Sequence, residues 1–126
     1  MQVSTPLGDA LGKYLDLSAN QMKLTAGNMA NIDTPGYKTQ GFDFDEAFAS
    51  ALVSPNHRDK SAMPGSQAGP RVGEVDGLVA RPDGNTVSLD REAMQLAKSQ
   101  LQFKTGIALL RNEYSRVMSA IHADGK

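Results

Sequence analysis

The chain has no cysteine and no tryptophan, and its rings are limited to three tyrosines, four phenylalanines and two histidines. Without thiols, neither a disulfide framework nor a thiolate metal site can form. With so few large aromatic side chains and 40% hydrophobic residues, little is available for a large compact core. A charge excess of one sign is also missing. Thirteen Lys and Arg stand against fourteen Asp and Glu, for a net charge of −1. A nucleic-acid-binding domain would show a basic excess. No apolar run approaches the roughly 20 residues that cross a bilayer, so no transmembrane segment is expected. Met1 to Ala10 lacks a basic stretch leading into an apolar one, so no cleavable secretory signal is expected either. His57 and His122 are isolated from each other and from clustered carboxylates. The sequence therefore presents no metal site, no nucleophile–base pair and no phosphate loop. No catalytic residue and no cofactor is expected. At 126 residues the chain amounts to one domain or less.

What the sequence does contain is heptads at both ends. Thr5 suits an N-cap, Pro6 the first helical position, and Asp9 the positive end of the helix dipole. From there Leu11, Leu15, Ser18, Met22, Thr25, Met29 and Ile32 alternate in steps of four and three. This is a narrow seam, with Leu15, Met22 and Met29 on one edge and Leu11, Ser18, Thr25 and Ile32 on the other. It predicts a helix over residues 6–32 that packs along a partner. Gly8, Gly12 and Gly27 each lower its propensity by about 1 kcal/mol relative to alanine, so packing must stabilise it. At the other end Ser88 suits an N-cap, with Asp90 and Glu92 in the first turn. Leu96, Phe103, Leu110 and Val117 recur every seven residues, as do Ala93, Gln100, Ile107, Tyr114 and Ile121. A helix over residues 88–121 follows, about 51 Å long at 1.5 Å per residue. Leu101, Ala108 and Met118 widen its stripe, which suggests more than one neighbour. Asp124-Gly125-Lys126 is expected to fray.

Between the helices the pattern stops. Pro35 biases Thr34 away from the helical region, and Pro35-Gly36 suits the two central positions of a type II turn. Phe44, Phe48 and Leu52 share a face of a short amphipathic helix. Asp43, Asp45 and Glu46 beside it lack a further oxygen cluster and suit a solvated turn better than a cation site. Ser54 to Asn85 is rich in proline and glycine, with at most a weak hairpin over 71–80 turning at Asp76-Gly77. The fold class expected is mainly α. Two long terminal heptad helices would form a coiled-coil-like hairpin or assembly domain, joined by a long irregular middle. Residues 1–38, 39–85 and 86–126 would be its three parts. The seams can pair within one chain or between chains.

The stretch Ala30, Asn31, Thr34, Pro35, Gly36, Tyr37 and Lys38 resembles the N-terminal signature of the flagellar axial proteins, the rod, hook and hook-associated family. Asn85, Val87, Asp90, Arg91 and Glu92 resemble the opening of the C-terminal helix in its proximal-rod group. The resemblance implies a structural subunit of the bacterial flagellar basal-body rod, in the periplasmic space, exported by the flagellar type III apparatus and transmitting torque. Implied partners are its own copies, other rod proteins, the ring–rod adaptor and the export apparatus, with no nucleic acid. Leu11, Leu15, Met22, Met29, Ile32, Leu96, Phe103, Ile107, Leu110, Tyr114, Val117 and Ile121 would form the assembly seam. Phe44, Phe48 and Leu52 fit the short Phe-x-x-x-hydrophobic export pattern of early substrates. The competing function is a soluble coiled-coil adaptor or export chaperone.

Overall fold

The computed structural model describes residues 4–53 and 69–123. The expected lead before Ser4, the loop-rich stretch 54–68 with His57, and the end at Asp124-Gly125-Lys126 lie outside the described residues. Helix α1 spans Pro6–Ala30, α2 spans Phe44–Val53, and α3 spans Leu89–Ala123. Two strands of two residues each, β1 (Gln40–Gly41) and β2 (Gly73–Glu74), pair antiparallel. The architecture is mainly α, with long helices at both ends.

Local chemistry accounts for the helix boundaries. Thr5 Oγ1 accepts from the Gly8 N–H at 3.0 Å, and Pro6 follows at the first helical position. Ser88 Oγ accepts from the Arg91 N–H at the start of α3. Asp43 Oδ1 accepts from the Glu46 N–H at 3.0 Å and so opens α2. One member of the acidic trio is thus occupied as a cap. Helix α1 stops at Ala30, two residues before the heptad pattern ends, with Asn31 as its C-cap. Ile32 therefore lies in the turn beyond the helix.

Helices α1 and α3 form an antiparallel hairpin. Thr5 bonds Glu113 at one end, and Asn28 bonds Glu92 at the other. Between them, a Cβ added at Gly106 would meet the Leu15 and Tyr14 side chains at 2.8 and 3.1 Å. Helix α2 packs on α1 through an aromatic cluster. The Tyr14 ring meets Phe44 and Phe48 edge-on, with centroids 5.3 and 5.6 Å apart. Lys13 Nζ donates to the Ala51 carbonyl at 2.8 Å.

The middle differs from the local hairpin expected over 71–80. The turn at Asp76-Gly77 is present, with Gly77 at φ 77°. Its preceding strand pairs with Gln40–Gly41 instead, in the register Gln40 to Glu74. A further bond from the Val75 N–H to the Thr39 carbonyl extends this link. A distant partner wins because residues 37–39 are already held by Gly84 and Thr86, and Gln40 by Asn28.

Candidate assembly surface and its clasp

The hairpin interior is not apolar. Among the described residues only Leu11, Leu17 and Val87 are buried hydrophobic side chains. The largest fully buried side chains are Glu92, Asn28, Asn85, Thr25, Thr39, Ser18 and Ser99. On α1 the buried column runs Leu11, Ser18, Thr25, with Gln21 and Asn28 beside it. On α3 it runs Glu92, Ser99, Gly106, one residue per heptad. Small side chains bring the two helices close, and Ser18 and Ser99 satisfy their hydroxyls on the carbonyls of Tyr14 and Gln95. Buried polar atoms must be bonded or they cost several kcal/mol. Among the described residues, no buried side-chain nitrogen or oxygen lacks a partner.

The expected apolar seam sits beside this column. Of its two α1 edges, Leu11 is buried with Ser18 and Thr25, while Leu15, Met22 and Met29 are half-buried. Leu96, Phe103, Ile107, Leu110 and Val117 are also half-buried, and Tyr114 and Ile121 are 58% and 52% exposed. At 3.6 residues per turn in antiparallel helices, the α1 edge and these α3 residues fall on the same flank of the hairpin. Helix α2 covers the other flank, where Lys13, Tyr14 and Leu17 lie. Leu101, at 67% exposed, and Met94, at 75%, form a second apolar row on the outer face of α3. At its far end α3 continues past the start of α1, because Glu113 already faces Thr5.

The stretch from Asn28 to Lys38 closes the other end as a clasp. The Asn31 amide donates to the Gly27 carbonyl, and the Thr34 hydroxyl donates to Asn31 Oδ1. The Tyr37 N–H returns to the Thr34 carbonyl at 3.2 Å across Pro35-Gly36, with Gly36 at φ 74°. That is the type II turn, whose third position requires a positive φ. Ala30 and Pro35 are exposed. Side-chain and backbone bonds then join this stretch to the start of α3. Lys38 Nζ donates to the Gly84 carbonyl, and the Gly36 and Thr86 N–H groups bond Asp83 and Tyr37 carbonyls. Asn85 donates through Nδ2 to the carbonyls of Asn31, Ile32 and Thr34 at 2.8–3.1 Å, while its Oδ1 accepts from the Val87 N–H at 2.7 Å. Arg81 also donates to the Ile32 carbonyl. Asn28 Oδ1 accepts from the Tyr37 hydroxyl and the Gln40 N–H, both at 3.0 Å. Its Nδ2 donates to the Gln40 carbonyl and to Glu92 Oε2. The Thr39 N–H donates to Thr86 Oγ1 at 2.9 Å, so Asn28, Asn85, Thr39 and Thr86 are contact-makers that the heptads do not single out.

Phe44 and Phe48 are half-buried on Tyr14, and Leu52, on the same helix, is 49% exposed. Among the described residues, no group of three His, Cys, Asp or Glu side chains is placed to hold a metal ion. No described helix is long and apolar enough to cross a membrane.

No family model matches the chain. Individual relatives do. The flagellar basal body rod protein FlgB of Cereibacter sphaeroides is 33% identical, over 95% of this chain and 99% of its own length. The chain belongs to the FlgB family of flagellar basal body rod proteins. FlgB of Salmonella typhimurium is 29% identical over 85% of this chain and 86% of its own. FlgB of Escherichia coli is 28% identical over 86% and 88%. Membership makes the chain a structural component of the flagellar basal-body rod and not an enzyme. A rod component associates with other rod components, and the open flank of the hairpin carries most of the heptad apolar residues that the fold leaves uncovered.

Proposed function

We propose that the chain polymerises into the rod through this flank, with its own copies and with other flagellar rod proteins. It reaches the rod by flagellar type III export, docks at the ring–rod adaptor, and transmits torque along helices parallel to the axle. One observation carries the assembly reading. The hairpin buries a polar column and leaves most of its heptad apolar residues half-covered or exposed. Apolar area kept in water is a favourable contribution withheld until a neighbour covers it. Phe44 and Phe48 are tucked against Tyr14 in the fold, so an export apparatus reading them would meet them on the unfolded chain.

The test uses Tyr114→Asp with Ile121→Asp, both more than half exposed. The isolated variant should keep its helical circular dichroism, because neither side chain fills the hairpin interior. It should be absent from purified basal bodies and fail to restore motility to a strain lacking the native gene. Normal incorporation would sink the flank as the assembly surface. A stable dimer at every concentration, retained in the cytoplasm, would instead favour the adaptor or chaperone reading.

A further inference from the structure

We infer that Asn85 and Glu92 set the register of the α1–α3 hairpin, and so decide which apolar residues of the two helices stand side by side on the open flank. The centre of the seam distinguishes registers only weakly. Ser18 and Thr25 on α1, and Ser99 and Gly106 on α3, are all small and recur at seven residues. Sliding one helix by a heptad would set Ser99, another small residue, where Gly106 now stands. Ser99 would then bring a Cβ to where one added at Gly106 meets the end of the Leu15 side chain at 2.8 Å, a contact that a shift of that flexible side chain relieves.

The discriminating contacts lie at the clasp. Glu92 is 1% exposed, and its Oε2 accepts from Asn28 Nδ2 at 3.1 Å while Oε1 accepts from Arg91 at 2.7 Å. A heptad slip moves it about 10 Å from Asn28 at 1.5 Å per residue, and leaves the carboxylate with Arg91 as its partner and Oε2 without one. Asn85, fully buried, holds three carbonyls of the turn that ends α1. It precedes α3 by four residues, so those bonds also position the helix start. A single polar residue in an otherwise permissive seam is known to specify register while lowering stability. Here the pair does so from the end of the hairpin. The readout is the hairpin's own register, so it stands or falls apart from the assembly reading.

The chain has no cysteine, so Lys23→Cys and Arg111→Cys, both exposed, can carry spin labels for distance measurement on the full chain. With Asn28 opposite Glu92, Lys23 faces Ala97, and Arg111 lies about 21 Å further along the axis. The labelled parent and its Glu92→Gln variant should each give one distance. Asn85→Ala with Glu92→Leu should keep its helicity and add a second population, with the axial separation shifted to about 10 or about 31 Å for a heptad slip. A single unshifted distance in a variant of full helicity would overturn the inference. Should the double variant lose helicity, Glu92→Leu alone is read in the same way. Loss of helicity in both overturns it too, since a register device acts on a hairpin that forms without it.

Discussion

Asn85 offers the sharpest test of the clasp, because its two ends do opposite jobs. Nδ2 faces the carbonyl oxygens of Asn31, Ile32 and Thr34, and Oδ1 faces the Val87 N–H. Two amide protons serve three acceptors, and the fourth contact runs the other way. The orientation of the amide is therefore fixed by its surroundings, since a flip would aim an oxygen at three oxygens. Asn85→Ala removes about three hydrogen bonds at about 1 kcal/mol each, for a loss of about 3 kcal/mol. Small domains have about 5–15 kcal/mol in total, so this is a large share. Asn85→Asp is nearly isosteric and keeps the Val87 bond. It nevertheless replaces the donor with a charged acceptor against three carbonyls in a site that is 0% exposed. Its cost should be about 3–5 kcal/mol, the scale of an uncompensated buried charge. Urea titration followed by circular dichroism reads both. With m about 1.5 kcal/mol/M, the alanine variant should lose about 2 M in midpoint at unchanged m. The ranking matters more than either value. An aspartate variant milder than the alanine one at pH 7 would refute the donor role assigned to Asn85.

Two further changes probe the packing. Gly106→Val should destabilise the hairpin by about 1–3 kcal/mol through overpacking, because Leu15 and Tyr14 already occupy the space of a Cβ; unchanged thermal melting would show that the helices are not in close contact there. Phe48→Ala removes ring contacts to both Tyr14 and Phe44, worth about 0.5–1.5 kcal/mol per pair. Amide exchange should then accelerate across 44–53 and stay nearly unchanged across 89–123, whereas equal acceleration in both would mean that α2 is part of the hairpin's own stability.

The local signals in this sequence translate directly into structure. Thr5-Pro6, Asp43, Ser88 and Pro35-Gly36 each act through bonds to residues within a few positions, and each starts or stops an element close to where its chemistry requires. The heptads were legible as helices but not as a burial pattern. Period-seven reading takes the apolar residues to be the buried ones. In this hairpin the deepest α1 positions are Ser18, Gln21, Thr25 and Asn28, while Met22 and Met29 sit one step round. The clasp was least visible. Asn85 bonds the turn across 51–54 residues, and Thr39 meets Thr86 across 47. Nothing local marks such pairs, although Asn85 and Glu92 stood within the stretch that carries the family resemblance. The strand pairing failed for the same reason, since Asp76-Gly77 announces a turn but not the strand's partner.

A polar interior and an apolar exterior reverse the usual order, and the reversal has an energetic logic. A fully apolar seam would make the hairpin stable alone, and would also let it slide or pair with any similar helix. Small and bonded polar residues along the centre contribute little from apolar burial. Most of the available apolar area is left on one flank. Burying a Leu, Ile or Phe side chain completely contributes about 1.5–3 kcal/mol, and one already half covered about half of that. Leu96, Phe103, Ile107, Leu110 and Val117 are in that condition. Covering these five would contribute about 4–7 kcal/mol, comparable to the whole stability of a small domain. The chain's order would then depend on its neighbours more than on its own core. On the assembly proposed above, such a subunit gains most of its rigidity where neighbours cover that flank, provided that the two helices meet in a single register.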